Sequence, residues 1–337
     1  MEEENSQIEI TKKLNKEKVE AVFKSSPLYK EGSVISAEFI EGSDVARHFN
    51  YKITSSEGNY LVRFENKLAL ETRGTGLEDE YKLLKIFSKY NLSPKPLYFS
   101  NLPLNFLIEE WINGKSLESV LKFKKEHLLG LVDFIVRFNK LPVEKIKKEF
   151  RFKSDIINIA EREKQFRERL KKGISLPFLK SWREEAPIIV FEALKVLKEK
   201  IKSVPYEAIS DEVISYRDIT KSNIFIITPH YMAVDWESHS VGISDPSFSL
   251  TVLIRRFALN KKEQDLIINE YLKKRPTPHL RKLLKVRSLE RAIGEFTWPF
   301  GWATNRVKLP TFNKKEQNNI LEMIEKHYKL LKSEIKL

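Results

Sequence analysis

A chain of 337 residues that is 41% hydrophobic and holds 21 phenylalanines is long enough for two sizeable cores and too apolar for disorder. It has no cysteine, which excludes disulfides, thiol catalysis and zinc–thiolate sites. Lys and Arg number 60 against 47 Asp and Glu, and the formal charge of +13 suits either an ion-pair-laced surface or an anionic partner. No apolar run approaches the roughly 18 residues of a membrane-spanning helix; the strongest, 186–194, contains Glu192. The opening MEEENSQIEITKK is acidic and polar, so the expectation is a cytoplasmic protein with no secretory signal and no membrane attachment.

Residues 1–30 read as an N-terminal helical extension with a polar tail, periodic over Lys18–Phe23 and stopped at Ser26–Pro27. Strand texture follows. Val34–Ile40 alternates, Glu41–Gly42–Ser43 turns, Phe49–Thr54 alternates again, Glu57–Gly58–Asn59 makes a hairpin and Tyr60–Phe64 returns. A helix comes next, with Glu78 and Glu80 near its start and Leu83, Leu84 and Phe87 on its apolar stripe. Ser93–Pro96 breaks it before the strands Leu97–Phe99 and Phe106–Trp111, and Asn113–Gly114 ends the run.

Helices dominate from Leu117 onward. Glu118–Lys140 carries a stripe of Leu121, Leu128, Leu131, Phe134, Ile135 and Phe138, and 150–172 and 186–203 are helical. Two short strands, Ile224–Ile227 and Met232–Val234, interrupt the series. Helices resume at Ser249–Leu259, Lys261–Lys273, Pro278–Gly294 and Lys314–Lys332. The pattern predicts an α+β protein of two lobes: a small antiparallel sheet with one main helix over 31–112, and a larger, mostly helical lobe over 113–337.

The chemistry gathers in Ile214–Glu237, ISYRDITKSNIFIITPHYMAVDWE. Asp218 is followed five residues later by Asn223, and the second short strand delivers Asp235. A carboxylate, an amide and a carboxylate at the edges of a strand–loop–strand suit phosphoryl transfer, which needs alignment and charge neutralisation more than covalent help. Asp218 is the candidate base or orienter of an acceptor hydroxyl. Asn223 and Asp235 offer the hard oxygen ligands that Mg²⁺ takes. A loop cap at Asp218 and a turn residue at Asn223 are the bland alternative.

These residues resemble the signature of the aminoglycoside phosphotransferase and choline kinase superfamily, HGD-x4-N followed by an aspartate in a D-[FW]-E strand. Asp235–Trp236–Glu237, then Gly242 and Asp245–Pro246, fit that pattern. The resemblance extends over about residues 35–255. It implies a protein-kinase-like fold, ATP and Mg²⁺ as cofactors, Asp218 as catalytic residue, and Asn223 and Asp235 as metal ligands. Leu61–Phe64 resembles the strand whose cation touches nucleotide phosphates, which makes Arg63 that cation. Glu80 is similar to the helix glutamate that pairs with it. IEEWINGKSL, 108–117, resembles the hinge beside adenine and brings in Glu109 and Trp111, while Gly42–Ser43 stands at the phosphate turn.

The chain also departs from the family. Tyr216 and Arg217 replace its His and Gly, Arg63 stands for the commoner Lys, no G-x-G-x-x-G is present, and Ser249 takes a frequent Asp position. Arginine keeps its charge and forks toward phosphates, so the clamp survives the exchange.

Between Lys273 and Lys308, ten Lys and Arg face only Glu290 and Glu295, which favours an anionic acceptor over a polycationic aminoglycoside. Thr297–Trp302 adds three aromatics in six residues, suited to stacking or to sealing a helix on the core. The reading is a kinase acting on a small-molecule hydroxyl; alternatives are a kinase acting on RNA or protein and a nucleotide-binding pseudokinase.

Overall fold

The computed structural model of the protein describes residues 13–40, 48–66, 76–102, 104–237, 239–309 and 312–336. Its chain divides into two units. One joins the described residues up to Lys153 with Tyr216–Gly242, and the other joins Ser154–Ser215 with the described residues from Ile243 onward. No helix among the described residues is long and apolar enough to cross a membrane.

In the first unit the alternating segments become five antiparallel strands, β1 (Ile35–Ile40), β2 (His48–Ser55), β3 (Gly58–Glu65), β4 (Pro96–Ser100) and β5 (Phe106–Glu110), ordered β1-β2-β3-β5-β4. The period of two sends Tyr51, Ile53, Val62, Phe64, Phe106 and Ile108 to one face, where Val19 and Phe23 of α1 (Lys16–Lys24) complete a core. The same alternation sends His48, Arg63 and Glu109 to the opposite face. α2 (Leu77–Phe87) buries Glu80, Leu83, Leu84 and Phe87, so a carboxylate occupies the inward stripe itself. Gly76 offers the helix start no side-chain cap, and Glu65 Oε1 accepts from the Leu77 N–H at 2.6 Å instead.

The helix expected from Glu118 begins at Lys125 as α3 (Lys125–Asn139), and Leu121 is exposed rather than part of the stripe. Local bonds explain the late start. Ser116 Oγ accepts from the Ser119 N–H at 3.3 Å, and the Glu118 N–H goes to the Lys221 carbonyl at 3.0 Å. Both short strands form, Ile224–Ile227 pairing antiparallel with His230–Ala233, so the second starts and ends earlier than the expected Met232–Val234.

The second unit is helical, with Phe166, Leu170, Leu194, Leu197, Leu289 and Phe296 among its core residues. The helix expected to stop at Gly294 runs from Leu280 to Arg306 with Pro299 inside it. Ile293, Phe296, Phe300 and Ala303 continue one buried stripe through the proline, and burial outweighs the lost hydrogen bond. Within this helix Trp298 stacks on Trp302 at 5.2 Å while Phe300 is buried, so the aromatic run divides between surface and core.

The basic stretch is less bare than its sequence. Arg287 is buried and pairs with Asp245 and Glu290; Arg275 meets Asp211, Arg281 meets Asp265 and Arg306 meets Glu316. Lys274 pairs with Glu270 and Arg291 with Glu295. Most of these acids lie outside 273–308, so counting charge within the stretch overstates its field.

Helices 159–173 and 280–306 touch at Gly173, where a Cβ would fall 2.4 Å from Phe300 Cβ and 2.6 Å from its carbonyl oxygen. Backbone cannot swing aside as a side chain can. Gly173→Ala is therefore expected to cost about 1–3 kcal/mol by overpacking, seen as a lower thermal midpoint.

Candidate active site

All the described candidate residues lie in the first unit, and backbone geometry links them. Asn223 Nδ2 donates to Asp218 Oδ2 at 2.7 Å, and its main-chain N–H donates to Thr220 Oγ1 at 3.2 Å. The Asn223 carbonyl accepts from the Val234 N–H at 2.9 Å, and the Val234 carbonyl accepts from the Tyr216 hydroxyl at 3.0 Å. Val234 is thus bonded to the loop on both sides, immediately before Asp235.

Tyr216 is 1% exposed, with Phe134, Phe138 and Trp236 around its ring. Burial, with Asp218 and Asp235 adding to it, pushes the phenol far above its ordinary value and keeps it a donor. Arg217 donates its main-chain N–H to the Ser240 carbonyl at 2.7 Å and a guanidinium N–H to the Lys153 carbonyl at 2.8 Å. That guanidinium lies against Gly242, where a Cβ would fall 1.6 Å from Nη2. Both departures from the His–Gly pattern therefore have partners.

Asp235 adopts φ of +62°, a left-handed setting that Asp tolerates better than most residues. The turn leaves its side chain 42% exposed and lets the Trp236 N–H donate to Glu80 Oε1 at 3.0 Å. Trp236 is anchored by stacking on Phe87 at 4.7 Å and by donating from Nε1 to the Ala233 carbonyl at 2.8 Å.

Arg63 holds the other end of the site. Its Nη1 donates to Glu80 and lies 3.5 Å from Glu109, and its Nη2 lies 2.9 Å from both His48 Nδ1 and Asp235 Oδ1. Glu80 and Glu109 are each 2% exposed. Burial drives Glu80 well above its ordinary value; Arg63 opposes the shift, and Glu109 and Asp235 add to it. Burial raises Glu109 as well, again against Arg63. For Arg63, burial favours proton loss, but Glu80, Glu109 and Asp235 more than offset it and the net shift is upward. One guanidinium among three carboxylates leaves this cluster short of positive charge.

The donor set fits a divalent cation of the Mg²⁺ type. Asp235 keeps Oδ2 beyond its bond to Arg63, Asn223 Oδ1 accepts from the Ser222 hydroxyl at 3.2 Å, and both are hard oxygen donors. Among the proposed nucleotide-binding residues, Glu109 directs its carboxylate to Arg63. The half-buried Trp111 gives its main-chain N–H to the Asn59 carbonyl at 3.3 Å and lies under the Lys52 ammonium at 4.9 Å. Gly42 and Ser43 fall outside the described residues. Lys221 sits 5.6 Å over the Phe123 ring, and His239 pairs with Glu237 at 2.8 Å. Sequence reasoning missed His48 and the ionic role of Glu109. Strand parity was the available signal, since it places both on Arg63's face.

No protein-family model matches the sequence, and no curated protein matches it. Solved structures do. A choline/ethanolamine kinase family protein from Mesorhizobium loti superposes with TM-score 0.65 at 14% identity, over 95% of this chain and 97% of that one. The choline kinase LicA from Streptococcus pneumoniae gives 0.62 at 16% identity, over 94% and 99%. Spectinomycin phosphotransferase in complex with ADP and spectinomycin gives 0.63 at 10% identity, over 97% and 100%. This chain has their fold. It is the fold of the superfamily that the sequence resembles.

Two outcomes test the charge balance around Arg63. Arg63→Ala strands two buried carboxylates and is expected to cost roughly 3–5 kcal/mol in denaturant titration. The raised Glu80 and Glu109 give stability that is full below the ordinary glutamate value of 4.5 and lost as pH rises through their folded values. Glu109→Gln should therefore lose less stability than the parent between pH 5 and pH 8, measured by thermal midpoints.

Proposed function

We propose that the protein is an ATP- and Mg²⁺-dependent phosphotransferase that moves the γ-phosphoryl group to a hydroxyl of a small molecule. The observation that carries this reading is the linkage of Asp218, Asn223 and Asp235: a side-chain bond joins the first two, and Val234 ties the second to the third. In this reading residues 31–112 bind nucleotide and residues 113–337 supply the catalytic loop and the acceptor pocket, with residues 1–30 an extension.

Asp218 orients the acceptor hydroxyl and takes its proton as the acceptor oxygen bonds to the γ-phosphorus. The bond to the oxygen bridging the β- and γ-phosphates breaks, and ADP leaves. Asp235 and Asn223 hold Mg²⁺, which neutralises the charge on the phosphates. Arg63 Nη2, which faces Asp235, would be the N–H offered to a phosphate oxygen, and Glu80 holds the other side of the guanidinium. Glu109, on β5, and Trp111, just after it, are the residues proposed to border the base.

Small acceptors are favoured because the solved structures sharing the fold include kinases of choline and ethanolamine type and a spectinomycin phosphotransferase with ADP bound. The extensive ion pairing within 273–308 removes much of the support for RNA. It equally weakens the argument against a cationic acceptor. A pseudokinase remains the second reading, supported by the engagement of both terminal nitrogens of Arg63 with protein groups.

The test is ATP consumption with Mg²⁺ against pooled metabolites and bulk RNA. The Asp218→Ala variant should lose about 10²–10⁴-fold in turnover while keeping its thermal midpoint and its ADP binding. Turnover unchanged in that variant refutes the assignment, and ADP binding with no turnover on any pool selects the pseudokinase.

A further inference from the structure

His48, Arg63 and Glu109 form a row across three neighbouring strands. Arg63 on β3 is paired directly with Asn50 of β2 and Leu107 of β5, so His48 and Glu109 are its diagonal neighbours on the same face. The row divides the arginine's partners between its two terminal nitrogens: Nη1 serves the two glutamates, and Nη2 serves His48 and Asp235. Glu80 and Asp235 come from α2 and from the strand end near the catalytic loop; His48 and Glu109 come from the sheet itself.

A guanidinium is a planar fork with separate donors, and its plane has to be set by acceptors on each tine. A lysine ammonium is a single point with three N–H groups. It could not satisfy Glu80, Glu109, His48 and Asp235 together, and two buried carboxylates would pull it from Asp235. The two extra acceptors are therefore matched to the arginine.

We propose that His48 and Glu109 are positioning residues that set the plane of Arg63, so that one edge of the guanidinium faces Asp235 and the nucleotide phosphates. The proposal rests on the phosphotransferase reading above. It makes Glu109 unfavourable to the stability of the nucleotide-free protein and favourable to phosphate recognition, a trade that a purely structural residue would not show. For His48, Nδ1 faces the arginine, so an acceptor at that place is what the site requires.

The test measures ADP and AMP dissociation constants with Mg²⁺ by calorimetry, alongside thermal midpoints, for the full chain. The variants are Arg63→Lys, Glu109→Gln, their combination, His48→Leu and His48→Gln. Glu109→Gln should raise the midpoint yet lower the preference for ADP over AMP by about 3-fold or more, a modest hydrogen-bond-scale effect. Arg63→Lys should lower that preference by about tenfold, in the range of a charge-assisted contact. Adding Glu109→Gln to Arg63→Lys should recover part of it, because the ammonium then has a single buried carboxylate to serve. His48→Leu should lower the preference and His48→Gln, which keeps an acceptor, should restore it.

Additive effects of the two changes on the ADP preference overturn the proposal. A wild-type preference in both Glu109→Gln and His48→Leu overturns it too. If the wild type binds neither nucleotide, the phosphotransferase reading fails and midpoints decide the row. A larger gain from Glu109→Gln beside Lys than beside Arg at position 63 then supports the pairing, and equal gains overturn it.

Discussion

A single buried guanidinium holds this site together, and its surroundings are unusual in their charge. Arg63 enters from the middle of β3, Glu80 from a helix stripe that is otherwise apolar, Glu109 from the next strand and Asp235 from a left-handed turn. Burying ions costs several kcal/mol each unless geometry and hydrogen bonds repay it. Here the repayment is shared: Arg63 cannot fully neutralise three carboxylates, so the site has an electrostatic appetite for further positive charge. That appetite is what supports the proposal of a metal–nucleotide site over a structural salt bridge.

Packing does the rest of the positioning. Phe87, Trp236, Phe138 and Tyr216 form a contiguous aromatic series, with Phe87 and Phe138 both stacked on Trp236. Trp236 follows Asp235 and Tyr216 precedes Asp218 by two residues, so fixing the rings fixes the chain beside both carboxylates. The Tyr216 hydroxyl then adds a direct bond to Val234. Where the resembling signature has a histidine, this chain thus carries a buried, well-bonded donor. Rigid elements of this kind hold functional groups more closely than loops do.

The elements of the first unit were largely legible, because strand alternation and helix periodicity report which face is buried. β1, β2, β3, β4 and β5 and the helix over Glu78–Phe87 all follow from that rule. Boundaries were less legible: the helix expected over 150–172 begins only at Ile159, after a short strand at Lys153–Ser154. The run after Leu117 is tied to the Asp218–Asn223 loop by a hydrogen bond that no periodicity announces, and helix 280–306 ignores a proline because its apolar stripe continues on both sides. The net field of residues 273–308 was misleading for a related reason. A charge count along the chain omits partners such as Asp211, Asp245, Asp265 and Glu316, which come from elsewhere.

By itself the sequence determined the α+β class, the strands and helices that carry the chemistry, and Asp218, Asn223 and Asp235 as residues to watch, because spacing and alternation are local properties of a chain. Only the tertiary structure decided who shares Arg63 beyond Glu80. His48 and Glu109 lie 15 residues before and 46 after it, and strand pairing alone makes them neighbours. It also decided that Val234 links the three candidate residues, since a main-chain hydrogen bond between distant segments leaves no mark on side-chain identity.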